Sequence, residues 1–204
     1  MAKKLVGKIN PGNTFVFVCD VQERFRSLIH NMPDVIETAR YMVGMSKALD
    51  IPVVATEQYP KAFLHTVPEV ELGSDVPVFE KKLFSMWTDE LQRYTQSKGL
   101  CAERGHVVLC GIEAHVCVTQ TCLDLIESGL TVHVVVDGCS SQRPLDRAVG
   151  LSRMQQAGAY LTSAESVTFQ LLGSAEHPKF KEVSKLVKDH NAIGNTFSQM
   201  SSVL

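Results

Sequence analysis

Residues 106–118 read HVVLCGIEAHVCV, and this stretch decides the fold class. Its first half is a short apolar run rich in β-branched residues, which is typical of a strand buried on both faces. Its second half continues into residues 119–130, where apolar side chains recur at helical spacing until Gly129 ends the helix. Cys117 therefore lies at the turn from a buried strand into the first turn of a helix.

This position favours a reactive cysteine. Unpaired backbone N–H groups and the positive end of the helix dipole stabilise a thiolate. The same N–H groups could hold an oxyanion. Cysteine is also among the most buried residue types, so a core thiol is the alternative interpretation of Cys117. Position alone does not decide between the two.

Strand and helix patterns alternate from one end of the chain to the other. The predicted strands cover residues 14–20, 51–57, 76–81, 106–112, 130–137 and 159–163. The predicted helices cover residues 33–49, 87–98, 114–128, 144–157 and 178–188. Alternation of this kind implies βαβ units, so we expect an α/β fold with a mostly parallel six-stranded sheet and helices on both faces.

The composition indicates one globular domain. The chain has 204 residues, of which 45% are hydrophobic, and this is enough for a sizeable core. We expect a single domain over residues 1–190. Residues 191–204 are predicted to form a polar C-terminal tail, which is either mobile or packed on another subunit.

Charge and hydropathy argue against two classes of partner. The net charge of -2 is not that of an electrostatic nucleic-acid binder, and no apolar run reaches the roughly 18 residues of a membrane span. We therefore expect a small-molecule substrate, with no nucleic-acid or membrane partner. The basic N-terminus lacks the apolar segment of a secretory signal, so we expect a cytoplasmic location, with the mitochondrion as the alternative.

The cysteines fit a reducing compartment. There are six: Cys19, Cys101, Cys110, Cys117, Cys122 and Cys139. None forms a C-x-x-C pair, which argues against a structural zinc site. Cys19, Cys110 and Cys139 lie in or beside predicted strands and are expected to be inert core thiols. Cys101 falls in a predicted loop.

Reactive side chains follow three of the predicted strands. Asp20 ends the first strand, Lys81 and Lys82 end the third, and Cys117 follows the fourth. Ligands bind beyond the carboxyl ends of strands in an open parallel sheet, so Asp20, a lysine and Cys117 could share one cleft. A thiolate stabilised by an ammonium can attack a carbonyl, and a carboxylate can move the proton to a leaving amine. This combination predicts hydrolysis of an amide or similar carbonyl through a thioester.

Each of these residues also has a structural interpretation. A strand-end aspartate often caps a turn, and a strand-end lysine is usually a solvated surface charge. His115 invites comparison with a Cys–His dyad, but residues two apart on a helix do not face each other, so we expect it at the rim of the site. The candidates for a substrate pocket are Gln22, Phe25, Gln58, Phe84, Trp87 and His115. Turn, surface or aromatic-core roles are the alternatives for the glutamines, Phe84 and Trp87.

Three motifs, in this order, resemble the isochorismatase-like cysteine hydrolases. They are FVCDVQERF at residues 17–25, KKLFSM at residues 81–86 and GIEAHVCV at residues 111–118. The resemblance is strongest to the subgroup called isochorismatase domain-containing proteins and extends over residues 12–190. It implies a Rossmann-like three-layer α/β/α sandwich and a homo-oligomer, dimeric or larger.

The resemblance also assigns roles to individual residues. It makes Asp20 the catalytic acid/base, Lys81 the catalytic lysine and Cys117 the nucleophile. Lys82 then faces the other way, as strand alternation requires.

The resemblance further implies a non-proline cis peptide between Ile112 and Glu113. This bond would aim backbone N–H groups between Ala114 and Cys117 at the oxyanion of the substrate.

Two departures from the wider family narrow the chemistry. The nicotinamidase branch binds zinc through an Asp-x-His motif after the second strand, but residues 57–65 read EQYPKAFLH. We therefore expect no metal and no other cofactor, and nicotinamide becomes a less favoured substrate. Members that cleave isochorismate in siderophore pathways replace the cysteine, so Cys117 favours amide-type chemistry.

Two other functions stay open at this point. The chain could be an interaction protein that keeps the hydrolase fold without catalysis. It could also be a redox sensor in which Cys117 is oxidised, with Cys122 as the partner thiol.

Overall fold

The computed structural model describes residues 6–100 and 105–199. Six parallel strands form one sheet in the spatial order β3-β2-β1-β4-β5-β6. The strands are β1 (Thr14–Cys19), β2 (Val53–Gln58), β3 (Val78–Lys81), β4 (His106–Ile112), β5 (Thr131–Ser140) and β6 (Tyr160–Thr162). Cys101, which was predicted to lie in a loop, falls outside the described residues.

Helices cover both faces of this sheet. They are α1 (Met32–Ala48), α2 (Pro60–Phe63), α3 (Asp89–Ser97), α4 (Thr119–Glu127), α5 (Pro144–Gln156), α6 (Ala164–Leu172) and α7 (Phe180–Ile193). Helix α1 packs against α6 and α7 on one face, and α4 packs against α5 on the other. The predicted three-layer α/β/α sandwich is therefore confirmed. None of the helices in the described part of the chain is long and apolar enough to cross a membrane.

The central strands form the core because both of their faces are covered. Every residue of β1 and six of the seven residues of β4 are buried. Such strands read as continuous apolar runs, and this is why residues 106–112 carried a clear signal in the sequence. Helix α1 contributes a buried stripe that includes Val35, Ala39 and Met42.

Three helical segments differ from the prediction. The predicted helix 114–128 divides into a π-helical turn, Ala114–Val118, and helix α4. Helices α2 and α6 were not predicted. For α6 the sequence does contain end signals, since the side chain of Ser163 accepts a hydrogen bond from the backbone of Ser166 and Gly173 follows the helix.

Strand β5 contains a bulge that the sequence pattern did not indicate. Leu109 of β4 pairs with Val134, but Gly111, two residues later, pairs with Cys139. The guanidinium of Arg147 is buried and donates to the backbone carbonyls of Val136 and Cys139. The bulge therefore carries β5 three residues beyond its predicted end at residue 137, toward the carboxyl end of β4.

The C-terminal segment packs on the body of the chain as far as the structure describes it. Helix α7 continues past its predicted end at residue 188, because His190 is buried and stacks on Tyr41 with ring centroids 4.3 Å apart. Further on, the ring of Phe197 covers the Arg147 guanidinium at 4.1 Å. Phe197, which lies in the predicted tail, thus contacts its own chain.

Candidate active site

The carboxyl end of the sheet gathers three buried reactive side chains. Asp20 directly follows β1, Lys81 is the last residue of β3, and Cys117 lies in the π-helical turn after β4. Their exposed fractions are 1%, 5% and 8%. Parallel strands bring their carboxyl ends to one edge, so three residues distant in sequence share one site.

Lys81 is the centre of this cluster. Its Nζ donates to Asp20 Oδ2 at 2.6 Å, to Gln58 Oε1 at 2.7 Å and to the backbone carbonyls of Phe84 at 2.9 Å and Leu83 at 3.1 Å. Burial acts to lower the pKa of Lys81, but the acidic groups of Cys19, Asp20 and Cys117 outweigh burial and raise it. The site therefore holds a buried cation.

Lys82 occupies a different environment. Its side chain is exposed, and its Nζ lies 5.6 Å from the centre of the Tyr59 ring. The backbone alternates direction between the two lysines, and Lys81 alone of the pair reaches Asp20.

The backbone of Asp20 holds its carboxylate in place. Asp20 has a φ of 52°, a left-handed conformation that aspartate adopts more readily than most residues. Its Oδ1 accepts a hydrogen bond from the Thr56 hydroxyl at 2.7 Å, while its Oδ2 accepts from Lys81. Thr56 was not a candidate in the sequence, since only the parallel register of β1 and β2 places it beside Asp20.

Cys19 also belongs to this cluster. It was predicted to be an inert core thiol, and it is fully buried next to Asp20 in the chain. Burial, the neighbouring Cys117 side chain and the charge of Asp20 raise the pKa of Cys19 well above its ordinary value, although Lys81 acts in the other direction. Cys19 therefore stays a thiol at neutral pH.

Two other cysteines match the prediction of core thiols. Cys110 and Cys139 are fully buried, and burial raises the pKa of both, to about 12 for Cys139. Cys110 Sγ contacts the carbonyl of Phe17 at 3.7 Å. Cys139 Sγ lies 3.9 Å from the carbonyl oxygen of Leu109, so both thiols face the backbone of the sheet.

The strand-to-helix turn has an unusual backbone. The peptide bond Ile112–Glu113 is cis, at the position that the family resemblance implies. The carbonyl of Glu113 then accepts from the N–H groups of Val116 at 3.0 Å and Val118 at 3.2 Å, which closes the π-helical turn. Such turns occur frequently at functional sites.

Close approach of neighbouring backbones requires two glycines here. Gly111 has a φ of 123°, and a Cβ atom on it would lie 2.1 Å from the carbonyl oxygen of Cys19. A Cβ atom on Gly150 of α5 would lie 2.8 Å from the carbonyl oxygen of Ala114. The turn that carries Cys117 is therefore held between β1 and α5.

His115 faces strand β5 and helix α5. Its Nδ1 is 3.0 Å from the Ser141 hydroxyl, and its Nε2 is 3.9 Å from Asp146. Ser141 reaches this position because the bulge in β5 extends the strand. These contacts agree with a rim position for His115.

The two glutamines among the pocket candidates have structural partners. The amide of Gln22 donates to the carbonyls of Gln58 and Leu64 and accepts from the Gln58 backbone N–H at 2.8 Å. The side chain of Gln58 accepts from Lys81 and donates to the carbonyl of Lys82. Gln58 thus binds the Lys81 ammonium directly, and Gln22 holds the backbone of Gln58 in place.

The aromatic candidates lie in three different environments. Phe25 stacks on Phe63 with ring centroids 5.0 Å apart. Phe84 is 53% exposed on the loop after β3. Trp87 donates its indole N–H to Ser128 at 2.8 Å and lies 6.3 Å from the Phe17 ring. Phe84 is thus the most exposed of the three.

Glu57 of strand β2 stabilises the loop that follows this strand. The carboxylate of Glu57 accepts from the backbone N–H and the hydroxyl of Thr66 and lies 2.9 Å from His65 Nδ1. Across residues 6–100 and 105–199, no group of three or more His, Cys, Asp or Glu side chains is arranged to hold a metal ion. The expectation of a metal-free site remains a prediction.

Comparison with known proteins places this chain in a family. The model of the Isochorismatase domain matches residues 14–166, a range that contains Asp20, Lys81 and Cys117. The secreted isochorismatase effector Isc1 of Phytophthora sojae is 46% identical over 200 residues, covering 96% of this chain and 94% of that protein. Isochorismatase domain-containing protein 2 of Homo sapiens is 43% identical over 188 residues, covering 92% and 89%.

A solved structure is also similar over most of its length. The structure described as MAR1 ribonuclease from Caenorhabditis elegans is 46% identical, with a TM-score of 0.83. The match covers 89% of this chain and 92% of the nematode chain.

Proposed function

Since this chain belongs to the isochorismatase domain family, we propose that it hydrolyses a small-molecule amide or carbamoyl C–N bond through Cys117, Lys81 and Asp20. Membership of the family supports a hydrolase. One observation carries the finer proposal: the Lys81 ammonium is buried, lies 2.6 Å from Asp20 Oδ2 and interacts electrostatically with Cys117. The proposed acid/base Asp20, the cation Lys81 and the proposed nucleophile Cys117 all follow or end strands at the carboxyl edge of the sheet, where ligands bind in parallel sheets.

The first half of the reaction forms a thioester. Asp20 takes the proton of the Cys117 thiol, and the Lys81 ammonium stabilises the thiolate. The sulfur attacks the substrate carbonyl carbon, and the carbonyl electron pair moves to the oxygen, which the N–H groups of the π-helical turn stabilise. The oxyanion collapses, the C–N bond breaks, and Asp20 gives its proton to the leaving nitrogen.

The second half releases the acid. Asp20 takes a proton from a water molecule, whose oxygen attacks the thioester carbon. The carbon–sulfur bond breaks, and Cys117 leaves as the thiolate beside Lys81. The carboxylic acid or carbamic acid departs, and Asp20 returns its proton to the sulfur.

Trapping of the covalent intermediate tests this proposal. A panel of small amides and carbamoyl compounds is incubated with the chain, and intact mass is recorded after acid quench. We expect one substrate to add its acyl group to the wild type, with the adduct on Cys117, and no adduct on Cys117→Ala. Turnover that persists in Cys117→Ala would contradict the thioester mechanism.

The proposal does not require a metal. Residues 57–65 lack the Asp-x-His motif, and the Glu57 carboxylate is already engaged with Thr66 and His65. Turnover is expected to survive extensive dialysis against a chelator. A requirement for added zinc would overturn this part of the proposal.

The name of the nematode relative raises RNA as a competing substrate class. Nucleic-acid binding draws on clustered positive charge, but this chain carries a net charge of -2 and its buried cation is already paired with Asp20. We therefore favour a small molecule. An RNA oligonucleotide belongs in the panel, and its cleavage by the wild type but not by Cys117→Ala would replace the amide proposal.

The proposal extends to assembly and location. We propose a dimer or larger homo-oligomer in a reducing compartment such as the cytoplasm, with the mitochondrion as the alternative. The five cysteines that the structure describes are free thiols, which suits such a compartment. Light scattering coupled to size exclusion tests the assembly, and imaging of a tagged chain tests the location against secretion, which is in the name of the Phytophthora relative.

A further inference from the structure

We propose that Arg147 and Phe197 position the candidate nucleophile: the ring of Phe197 holds the Arg147 guanidinium inside the bulge of β5, and the bulge fixes the turn that carries Cys117. The inference rests on the proposed function only where it names Cys117 as the nucleophile. Arg147 and Phe197 act through the backbone of β5, so they are positioning residues.

The bulge needs the Arg147 side chain as a hydrogen-bond donor. Within a bulge, backbone groups lose their partners in the strand ladder. Arg147 Nε donates to the carbonyl of Cys139 at 2.8 Å, and Arg147 Nη2 donates to the carbonyl of Val136. Arg147 is buried, and a buried carbonyl without a donor costs free energy. The rigid fork of the guanidinium satisfies both carbonyls at once, and a lysine ammonium does not reproduce this geometry.

Phe197 covers the guanidinium from the side of the C-terminal segment. Arg147 Cζ lies 4.1 Å from the centre of the Phe197 ring, and Phe197 is itself buried. An aromatic face attracts a cation, and the attraction is stronger where water is excluded. Phe197 therefore restrains the side chain that satisfies the bulge.

Two further contacts anchor residues 195–197. Asn195 Nδ2 donates to the carbonyl of Asp137, which lies within the bulge, at 3.1 Å. The backbone N–H of Thr196 donates to Asp34 Oδ2 on α1 at 3.0 Å, and the Thr196 hydroxyl also binds this oxygen. This segment thus connects α1 with the bulge of β5.

The bulge decides which residues of β5 face the end of β4. Leu109 pairs with Val134 before the bulge, and Ile112 pairs with Ser140 after it. Three steps along β4, from 109 to 112, therefore correspond to six steps along β5, from 134 to 140. In a regular ladder Ile112 would face Asp137 instead. The additional residues bring the end of β5 to the level of the turn that follows β4.

The end of β5 holds the turn that carries Cys117. Ser141 Oγ lies 3.0 Å from His115 Nδ1, and the backbone N–H of Gln142 donates to Glu113 Oε2 at 2.9 Å. Glu113 directly precedes the π-helical turn, and His115 lies within it. Both contacts would be lost if β5 followed the regular register. The two side chains that stabilise the bulge thus determine where the turn lies.

Hydrogen exchange of the turn tests the inference. In Phe197→Leu the apolar cover over Arg147 is kept, but the aromatic face is lost. We expect the backbone amides of residues 113–118 to exchange roughly fivefold faster relative to those of β1, as the loss of one cation–π contact predicts. Phe197→Tyr keeps the aromatic face and should restore the wild-type exchange. Mass spectrometry of peptic fragments of the full chain measures both segments.

Reactivity of Cys117 provides the second measurement. Alkylation by iodoacetamide is followed between pH 5 and 9 on the peptide that contains Cys117. We expect the pH profile of Phe197→Leu to be shifted from that of the wild type. Arg147→Lys loses the guanidinium fork and should shift the profile in the same direction and further. Phe197→Tyr should give the wild-type profile.

Ile51→Ala is the matched control. Ile51 is buried at the amino end of the sheet, opposite to the candidate site, so its substitution should lower the free energy of unfolding without reaching the bulge. The exchange of the turn relative to β1 and the alkylation profile should both stay as in the wild type.

Two results contradict the inference. One is equal acceleration of exchange in the turn and in β1 of Phe197→Leu, which would show that Phe197 contributes to global stability alone. The other is an alkylation profile of Phe197→Leu that matches the wild type. If Arg147→Lys does not fold, the two Phe197 variants still decide. Iodoacetamide reports on the thiol without a substrate, so failure here is distinct from failure of the hydrolase proposal, which is tested by acyl transfer and turnover.

Discussion

The two ends of the sheet each contain a buried polar cluster, but the clusters differ in charge. At the carboxyl end, Lys81 keeps its charge in the interior because it is paired with Asp20. At the amino end, His106 Nδ1 lies 3.0 Å from His133 Nε2, and His133 stacks on Tyr160. Burial lowers the pKa of both histidines, to about 4 for His133, so this pair of rings is neutral at pH 7.

The difference shows what is needed for a charge to remain in the core. An ionisable group buried without an opposite charge becomes neutral, whereas a hydrogen-bonded ion pair can stay charged. Catalytic groups require charges or protons that are poised to move. Of these two ends, only the carboxyl end has both a buried cation and a partly accessible thiol, Cys117, which supports it as the candidate reactive end.

Removal of the cation should have the largest effect. In Lys81→Met, the Asp20 carboxylate is left buried without its partner, so we expect a loss of about 3–5 kcal/mol in the free energy of unfolding. Under the proposed mechanism, in which the Lys81 ammonium activates Cys117, alkylation of Cys117 by iodoacetamide at pH 7 should also slow. Urea unfolding and alkylation kinetics provide the two measurements.

Lys82→Met is the matched control for this change. Lys82 is exposed, so its substitution should alter the free energy of unfolding by less than about 0.5 kcal/mol. Equal losses in the two variants would show that pairing with Asp20 does not stabilise the charge at this end.

The second-largest effect is expected for the free energy of unfolding when a glycine at either end of the sheet is replaced by alanine. A Cβ atom on Gly111 would meet the backbone oxygen of Cys19 at 2.1 Å, whereas one on Gly7 would meet the ring of Tyr160 at 2.6 Å. Both glycines have positive φ, so Gly111→Ala and Gly7→Ala share a backbone cost of about 1–2 kcal/mol. A ring can move more easily than a central strand, so Gly111→Ala should cost about 1–3 kcal/mol more.

Thermal or urea unfolding of the two alanine variants measures that difference. The C-terminal edge of β4 is expected to be the less tolerant site. A larger loss for Gly7→Ala would indicate that the amino end, not the carboxyl end, is the more tightly packed.

Much of the fold and of the candidate site could be predicted from the sequence, because apolar runs and the polar residues at strand ends are local features. The apolar runs of the central strands were clear because these strands are buried on both faces. Asp20, the pair Lys81 and Lys82, and Cys117 stood out as polar or reactive residues at or shortly after strand ends, and the family resemblance then selected Lys81. Topology then brings residues at these ends together.

Contacts between distant segments could not be read in the same way. The pairing of Thr56 with Asp20 depends on strand register, and the close approach of β4 to the Cys19 carbonyl depends on the missing side chain of Gly111. The bulge in β5 depends on a buried Arg147 that binds backbone carbonyls. None of these features leaves a periodic signal in its own segment.

Acidification should lower the free energy of unfolding through His133, at the amino end of the sheet. His133 has a folded pKa of about 4, below its ordinary value of 6.5, so the unfolded chain binds a proton first as the pH falls. Its stability contribution is present above pH 6.5 and is lost between pH 6.5 and 4. At pH 5 the wild type should have lost about 2 kcal/mol that His133→Gln does not lose.

Urea unfolding of both proteins at pH 7 and pH 5 gives this difference. His65→Gln is the control, because the pKa of the exposed His65 is raised by its hydrogen bond to Glu57. The contribution of His65 to the pH dependence of stability, taken as the difference between wild type and His65→Gln, should therefore be weaker than that of His133 and of opposite sign. Parallel slopes for wild type and His133→Gln would mean that His133 is not the group that becomes charged.

Substitution of His115 should have the smallest effect on the reactivity of Cys117. Its size distinguishes activation of the thiol by Lys81 and Asp20 from activation by a Cys–His dyad. The ring contacts Ser141 and Asp146, and residues two apart on a helix do not share a face with Cys117. If Lys81 and Asp20 activate the thiol, His115→Ala should change the rate of Cys117 alkylation by no more than about twofold, as expected for a change within about 0.5 kcal/mol. A Cys–His dyad predicts instead a large loss, with the pH profile of alkylation shifted toward that of an ordinary thiol. Alkylation rates of wild type, His115→Ala and Lys81→Met between pH 5 and 9 distinguish the two accounts, because the dyad and the lysine each predict a shifted profile in a different variant.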